Sequence, residues 1–464
     1  MVSRRAFLLG SLAVGLSLSR AHADAISDDA IRAILRERVD DDRQSVGMVA
    51  GLLDATGRRI VTYGRSDSAD DRPLDGDSVF EIGSITKIFT SLLLADMAVR
   101  GELALDDPVS KYLPAGVTVP AHNGKQITLL DLATYSSGLP NDPTNLPKLD
   151  GATLREHFNP YENYTVEDLY AFLSAYALKF DPGAHYEYAN LGFGLLGHLL
   201  SLKANQSYED LVVSRICTPL GMESTRISLS PSMRERLARG HTSILEPTEN
   251  WELKTFAGTG ALRSTANDLF LFLDAASGLH PNAALRTAMD LLLKTRRPAY
   301  SRNVKVGLGW FVTKEHDDEM VSKTGATGGY STYIGFSTKT RSASLVLSNA
   351  GFNGNDDIGM HLANPDFPLD QYPPMVAVDP AILASYAGTY AASPKSSLTI
   401  RASGARLFVR VADQVECELF PDSADHFFMR SVDAQAIFHR DADGHVRQLI
   451  WHQNDAFQYW RRMP

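Results

Sequence analysis

Ile85, Ile88, Phe89, Leu92 and Leu93 recur at helical spacing on one stripe, and Gly101 follows as a stop signal. The spacing predicts a buried amphipathic helix that opens at Ser84. A second helical run, Leu191-Gly192-Phe193-Gly194-Leu195-Leu196-Gly197, is small and apolar and follows the breaker cluster Asp181-Pro182-Gly183. Thr265 and Asp268 have the spacing of a capping box before Leu269-Phe270-Leu271-Phe272-Leu273. Strand-like runs flank this helical middle, at 46–53 and 59–63 before it and from 306–312 to about Val346 after it. The two ends are expected to form one antiparallel sheet, with the middle, from Ser84 to about Leu293, folded as helices on its faces. That is an α+β fold with a helical subdomain.

Beyond Ala363 the pattern changes. Asn364-Pro365, Phe367-Pro368 and Tyr372-Pro373-Pro374 interrupt any regular element, so 365–378 is expected to be a linker. Short alternating runs follow, among them Leu398-Thr399-Ile400, Arg406-Leu407-Phe408-Val409, His426-Phe427-Phe428-Met429 and Gln448-Leu449-Ile450-Trp451, with a turn at Asp443-Gly444. Residues 379–464 are therefore expected to form a small up-and-down β-barrel.

The chain has 464 residues, 44% of them hydrophobic and 22% charged, which suits more than one ordinary globular domain. Its net charge of −10 argues against nucleic acid as a partner, since phosphate binding needs a concentrated basic surface. Ser3-Arg4-Arg5-Ala6-Phe7-Leu8, an apolar run to about Leu18 and Ala21-His22-Ala23 have the form of an export signal over residues 1–23. The segment resembles a bacterial twin-arginine signal, and cleavage would leave a chain starting near Asp24. The run is shorter than the ~20 residues a spanning helix needs, so no stable membrane insertion is expected after cleavage, and the location expected is the periplasm. Cys217 and Cys417 read as small buried residues, and His241 and His316 as surface histidines. No metal and no cofactor are expected.

Three strings carry the candidate chemistry. Ser84-Ile85-Thr86-Lys87 puts a lysine one helical turn from a serine at a helix N-terminus, where free N–H groups and the dipole can stabilise an oxyanion. Serine becomes a nucleophile only when a base takes its proton, and Lys87 can be that base if burial and a second cation lower its pKa. Tyr188-Ala189-Asn190 stands where a loop enters the second helix; it supplies a phenol for proton transfer and an amide that both donates and accepts. Lys323-Thr324-Gly325-Ala326-Thr327-Gly328-Gly329, followed by Tyr330-Ser331-Thr332-Tyr333, reads as strand, glycine turn, strand. Such a strand can lie along a substrate, pair with its backbone and bind its carboxylate. Each string alone arises by chance; their order and flanks make them one site.

Together, Phe80-Glu81-Ile82-Gly83-Ser84-Ile85-Thr86-Lys87, Tyr188-Ala189-Asn190 and Lys323-Thr324-Gly325 resemble the three signatures of class C β-lactamases and penicillin-binding DD-peptidases. Ile127 to Pro140 and Gly258 to Thr265 agree, and Asp107-Pro108-Val109-Ser110-Lys111-Tyr112 with Asn123-Gly124 is similar to D-alanyl-D-alanine carboxypeptidase/endopeptidases. Thr86, where serine or alanine is usual, and the C-terminal extension are departures. The extension resembles the lipocalin-like barrels of some penicillin-recognising hydrolases.

The resemblance implies a β-lactamase/transpeptidase-like fold over 24–364. It implies Ser84 as nucleophile, Lys87 and Tyr188 as the proton-transfer pair, and Asn190 as a contact to the lysine and the substrate amide. Lys323 and Thr324 would bind the substrate carboxylate and lower the Tyr188 pKa, with Gly325 beside the substrate. The backbone N–H groups of Ser84 and Ala326 would form the oxyanion hole. Which of Lys87 and Tyr188 takes the serine proton stays open. The implied activity is DD-carboxypeptidase or endopeptidase action on D-alanyl peptides of peptidoglycan, with penicillins as acylating ligands. A β-lactamase is the alternative, and an esterase or D-amino-acid amidase a further one.

Overall fold

The computed structural model describes residues 26–147, 159–278, 285–315, 317–393, 396–412, 414–453 and 456–463. The export segment and His316 lie outside the described residues. The strands on either side of the helical middle meet in one sheet, as expected. Gly47–Asp54 and Gly57–Gly64 join the later strands in an eight-stranded sheet. Its order runs Gly57–Gly64, Gly47–Asp54, Ala343–Ser348, Ser331–Ser337, Asp318–Ala326, Phe311–Glu315, Val304–Val306 and Arg297–Pro298, with every neighbouring pair antiparallel. Both faces are covered, so Gly47–Asp54 and Ala343–Ser348 are buried almost throughout instead of alternating. Val49, Leu345 and Leu347 face the large core shared with the helices Thr86–Val99, Asn190–Ala204 and Ala266–Ser277. Ile31, Leu35 and Ile358, from Asp28–Arg36 and Asp356–Ala363, pack on the other side with Met48 and Val346.

Two helical expectations change in detail. Thr86–Val99 is buried on all sides from Thr86 to Met97, not on one stripe. Most of its polar side chains find partners: Thr90 Oγ1 donates to Gly258 O at 2.7 Å and Asp96 receives Arg100 and Arg215, while Ser91 Oγ is buried with no hydrogen-bond partner among the described residues. Thr265 caps its helix by accepting from Asp268 N, but the Asp268 carboxylate does not return the bond. It is taken by Ser224 N and Thr225 Oγ1 at 2.8 and 2.7 Å, so a tertiary contact replaces half of the capping box.

The C-terminal strands, from Gly388–Ser393 to Ala456–Arg462, close an eight-stranded barrel in sequence order. Apolar side chains such as Leu398, Val409, Phe438 and Trp460 fill it, and the helix Pro380–Tyr386 adds Leu383 and Tyr386. The barrel is seated on the catalytic unit by charge. The Glu418 carboxylate, almost fully buried, receives Arg43 at 2.5 Å and Arg406 at 2.6 Å, while Arg430 reaches Asp42 at 2.8 Å. Tyr372, in the expected linker, lies between the Arg38 and Arg430 guanidiniums, 5.2 Å from each. Among the described residues, no helix is long and apolar enough to cross a membrane.

Candidate active site

The serine is placed by two close backbone approaches. Phe80–Glu81 pairs with Arg263–Ser264, and the chain then turns through Gly83, with φ +49°, into the short turn Gly83–Ile85 that leads the Thr86 helix. A Cβ on Gly83 would lie 2.7 Å from both N and O of Ala326. One on Gly325 would lie 2.1 Å from Ile82 O. The absence of both side chains lets the nucleophile's turn rest directly on the strand, bringing Ser84 to Ala326. Gly325 thus makes room for Ile82 as well as lining the cleft with backbone.

The three strings converge on the Ser84 hydroxyl. Lys87 Nζ is 2.8 Å from Ser84 Oγ, and Tyr188 Oη donates to the same oxygen at 2.9 Å. Lys87 also donates to Asn190 Oδ1 at 2.9 Å and to Thr259 O at 3.1 Å. Its side chain is fully buried, and burial, with the neighbouring Lys323 charge, holds its pKa well below the usual lysine range. A neutral amine has two N–H donors and one lone pair. Asn190 Oδ1 and Thr259 O take the donors, leaving the lone pair for Ser84.

Tyr188 behaves differently from the expectation drawn from resemblance. Burial pushes its phenol up to about 12, and the hydrogen bonds to Ser84 and Tyr135 only partly offset this. Desolvation dominates, so Tyr188 is a protonated donor in the free enzyme.

Lys323 lies in a box of aromatic rings. It donates to Tyr135 Oη at 3.1 Å and sits 4.8 and 4.7 Å from the Tyr188 and Phe311 ring centres. Burial lowers its pKa to about 7. Phe311–Glu315 pairs with Asp318–Ala326 only as far as Ser322, so among the described residues the edge from Lys323 to Ala326 has no partner strand on that side. Thr324 and Ala326 are exposed along this open edge. It can take an extended substrate by backbone pairing.

Sequence reasoning missed four supporting residues. Tyr161 Oη receives Asn190 Nδ2 at 2.9 Å and donates to Asp142 at 2.8 Å, fixing the amide that holds Lys87. Thr259 supplies the carbonyl for Lys87, and its hydroxyl donates to Asn190 O at 2.6 Å. Tyr135 stacks on Tyr188 with ring centres 4.8 Å apart and has φ +52°, rare for a tyrosine. Tyr135 and Thr259 stood inside the segments that match the family, a signal that marked the segments without singling out these residues.

Three readings away from the cleft are corrected or qualified. His241 is not a surface residue: it is fully buried, with ring nitrogens 3.0 Å from Asn349 O and from Ser68 Oγ. Cys417 is half-buried, whereas Cys217 is buried, and both are free thiols. Asp441, Asp443 and His445 do bring ligand atoms within 4.8 Å of one another, in a partly exposed turn. Asp441 there already receives Arg447 and the backbone N–H groups of Asp443 and His445.

Ser84, Tyr161, Tyr188, Asn190, Thr259 and Lys323 line an open cleft of about 870 Å³. Tyr186, Tyr300 and Phe311 border it along with Trp251 and Leu253, and so do Gln414, Val415 and Ser431 of the barrel region. The barrel therefore forms part of the wall around Ser84.

Residues 31–364 match the Beta-lactamase family, and residues 373–462 match a domain of unknown function (DUF3471). The chain is 30% identical over 352 residues to the D-alanyl-D-alanine-carboxypeptidase/endopeptidase AmpH of Escherichia coli K12, covering 71% of this chain and 88% of that one. It is 25% identical over 422 residues to Penicillin-binding protein 4* of Bacillus subtilis, covering 83% and 89%. A solved β-lactamase/D-alanine carboxypeptidase from Yersinia pestis, complexed with citrate, superposes with a TM-score of 0.60 at 24% identity, covering 70% of this chain and 92% of the other. A class C β-lactamase from Rhodobacter sphaeroides superposes with a TM-score of 0.59 at 24% identity, covering 73% and 98%. The chain belongs to the Beta-lactamase family, and it is a serine hydrolase of the β-lactamase/DD-peptidase superfamily.

Proposed function

We propose that this enzyme is a DD-carboxypeptidase or endopeptidase that cleaves D-alanyl peptides of peptidoglycan through an acyl-serine intermediate and is acylated by penicillins. The observation that carries this reading is the open strand edge from Lys323 to Ala326 beside Ser84. It offers a cation and the Thr324 hydroxyl to a terminal carboxylate one or two residues from the reacting carbonyl. In this reading Ser84 Oγ attacks the amide carbonyl and its proton passes to neutral Lys87. The N–H groups of Ser84 and Ala326 receive the oxyanion. Tyr188 gives its proton to the departing nitrogen and is reprotonated from Lys87, and water then clears the ester. The relative named D-alanyl-D-alanine-carboxypeptidase/endopeptidase supports the same substrate class.

The chain is organised in this reading as an export signal over 1–23, a catalytic unit over 24–364, a linker over 365–378 and a barrel over 379–464, acting in the periplasm. A β-lactamase is the second reading, favoured by relatives so named. The test is the lifetime of a penicillin adduct measured beside D-alanine release from a D-alanyl-D-alanine peptide. A long-lived adduct with peptide turnover is expected. Rapid adduct release without peptide turnover would establish the β-lactamase instead.

A further inference from the structure

A second cavity, of about 570 Å³, lies between the catalytic unit and the barrel. That is the size of a small-molecule or short-peptide site. Phe352, Gln414 and Val415 line both this cavity and the Ser84 cleft, so the two spaces adjoin across these three residues. Gly328 lines the second cavity, two residues beyond Ala326 at the end of the open strand. A direction follows. With a terminal carboxylate at Lys323 and Thr324 and the reacting carbonyl at Ala326, the acyl part of a substrate continues past Thr327 towards Gly328. At about 3.3 Å per extended residue, the second cavity is reached within roughly two residues.

The barrel wall of this cavity is chemically unusual. Thr399 and Arg410 are Cα partners on adjacent strands; neither belongs to the barrel core, and both line the cavity. Other arginines on these two strands are engaged, Arg401 with Glu416 and Arg406 with Glu418. Arg410 is half-buried and, among the described residues, has no ion pair or side-chain hydrogen bond. A guanidinium cannot shed its charge, and its fork of donors matches a carboxylate.

We propose that this cavity is a second substrate subsite, which takes a carboxylate-bearing part of the acyl side of an extended peptide and holds it on Arg410 with Thr399. The inference rests on the peptidase reading and adds the substrate's chemistry: an acidic peptide, longer than the terminal dipeptide. Two peptides with the same D-alanyl-D-alanine end are compared on the full-length enzyme, one bearing a glutamyl carboxylate roughly two residues upstream and the other the matching amide. Wild type is expected to favour the acid about tenfold in kcat/KM, Arg410→Ala to bring the ratio near one, and Arg410→Lys to fall between. Equal rates on wild type, or a preference that survives Arg410→Ala, would overturn the subsite.

Calorimetry on Ser84→Ala with the same peptides separates this from failure of the peptidase reading. Acid-selective binding lost with Arg410→Ala supports the subsite even if neither peptide is hydrolysed. Equal binding of acid and amide overturns it.

Discussion

The catalytic unit and the barrel solve opposite problems with their interiors. Around Ser84 the protein buries polar groups and two lysines, and satisfies them through a chain that runs from Asp142 through Tyr161 and Asn190 to Lys87. Inside the barrel it buries apolar side chains, and what that unit offers a ligand lies on its outer surface, where Gln414, Val415 and Ser431 meet the cleft. On the proposed function the first region activates Ser84 and docks the terminal carboxylate, and the second bears on the rest of the substrate. Groups that activate Ser84 are expected to set the rate on every substrate; Lys323 and the barrel wall are expected to alter the ratio between substrates.

The largest break in that contrast is at the base. Lys87→Ala should lower acylation on the order of 10³-fold for peptides and penicillins alike, measured by single-turnover kinetics. A loss confined to one substrate class would mean that Lys87 selects instead of activating. Gly325→Ala should also impair all substrates, because a Cβ 2.1 Å from Ile82 O must push the nucleophile's turn away from the strand. Correct folding by circular dichroism with acylation reduced at least tenfold is the expected result.

Lys323→Ala sharpens the comparison from inside the catalytic unit. Carboxylated substrates should lose about 2 kcal/mol of transition-state stabilisation, whereas neutral esters should lose much less. Equal losses would make its role structural or purely electrostatic, acting through Lys87.

Protonation gives a matching pH profile. Lys87 acts when neutral, so activity falls as pH drops through its depressed pKa. Lys323 docks when charged, so kcat/KM for carboxylated substrates falls as pH rises above about 7. A bound carboxylate favours the charged form, so the corresponding limb of kcat should lie at higher pH. The smallest effect belongs to the barrel wall: Gln414→Ala with Val415→Ala should alter the peptide-to-penicillin ratio of kcat/KM a few-fold. An unchanged ratio would reduce the barrel to a stabilising appendage.

Much of this was legible in the chain because the chemistry is written locally. Ser84 and Lys87 share one helical turn, Tyr188 and Asn190 one helix entry, and Lys323 to Ala326 one strand end. The sheet was legible from the strand-like runs that flank the helical middle, and the barrel from its short alternating runs. Groups that act through tertiary contacts were not. Tyr161 matters because Asn190 meets it across the fold, and Asp142 because it receives Tyr161, and nothing in their own neighbourhoods announces it. The Thr86–Val99 helix was expected to bury one stripe, yet its polar face is buried too, because Thr90, Asp96 and Lys87 find partners far along the chain. His241 misled for the same reason: its partners Asn349 and Ser68 are distant in sequence. The Tyr188 phenol depends on how deeply the site is buried, which spacing does not encode.

The account rests on Ser84 as the acylated atom, and peptide mapping by mass spectrometry after brief exposure to penicillin tests it most directly. A single adduct on the peptide containing Ser84, absent from Ser84→Ala, is predicted. No adduct on the wild-type protein, or one that persists in Ser84→Ala, would contradict it.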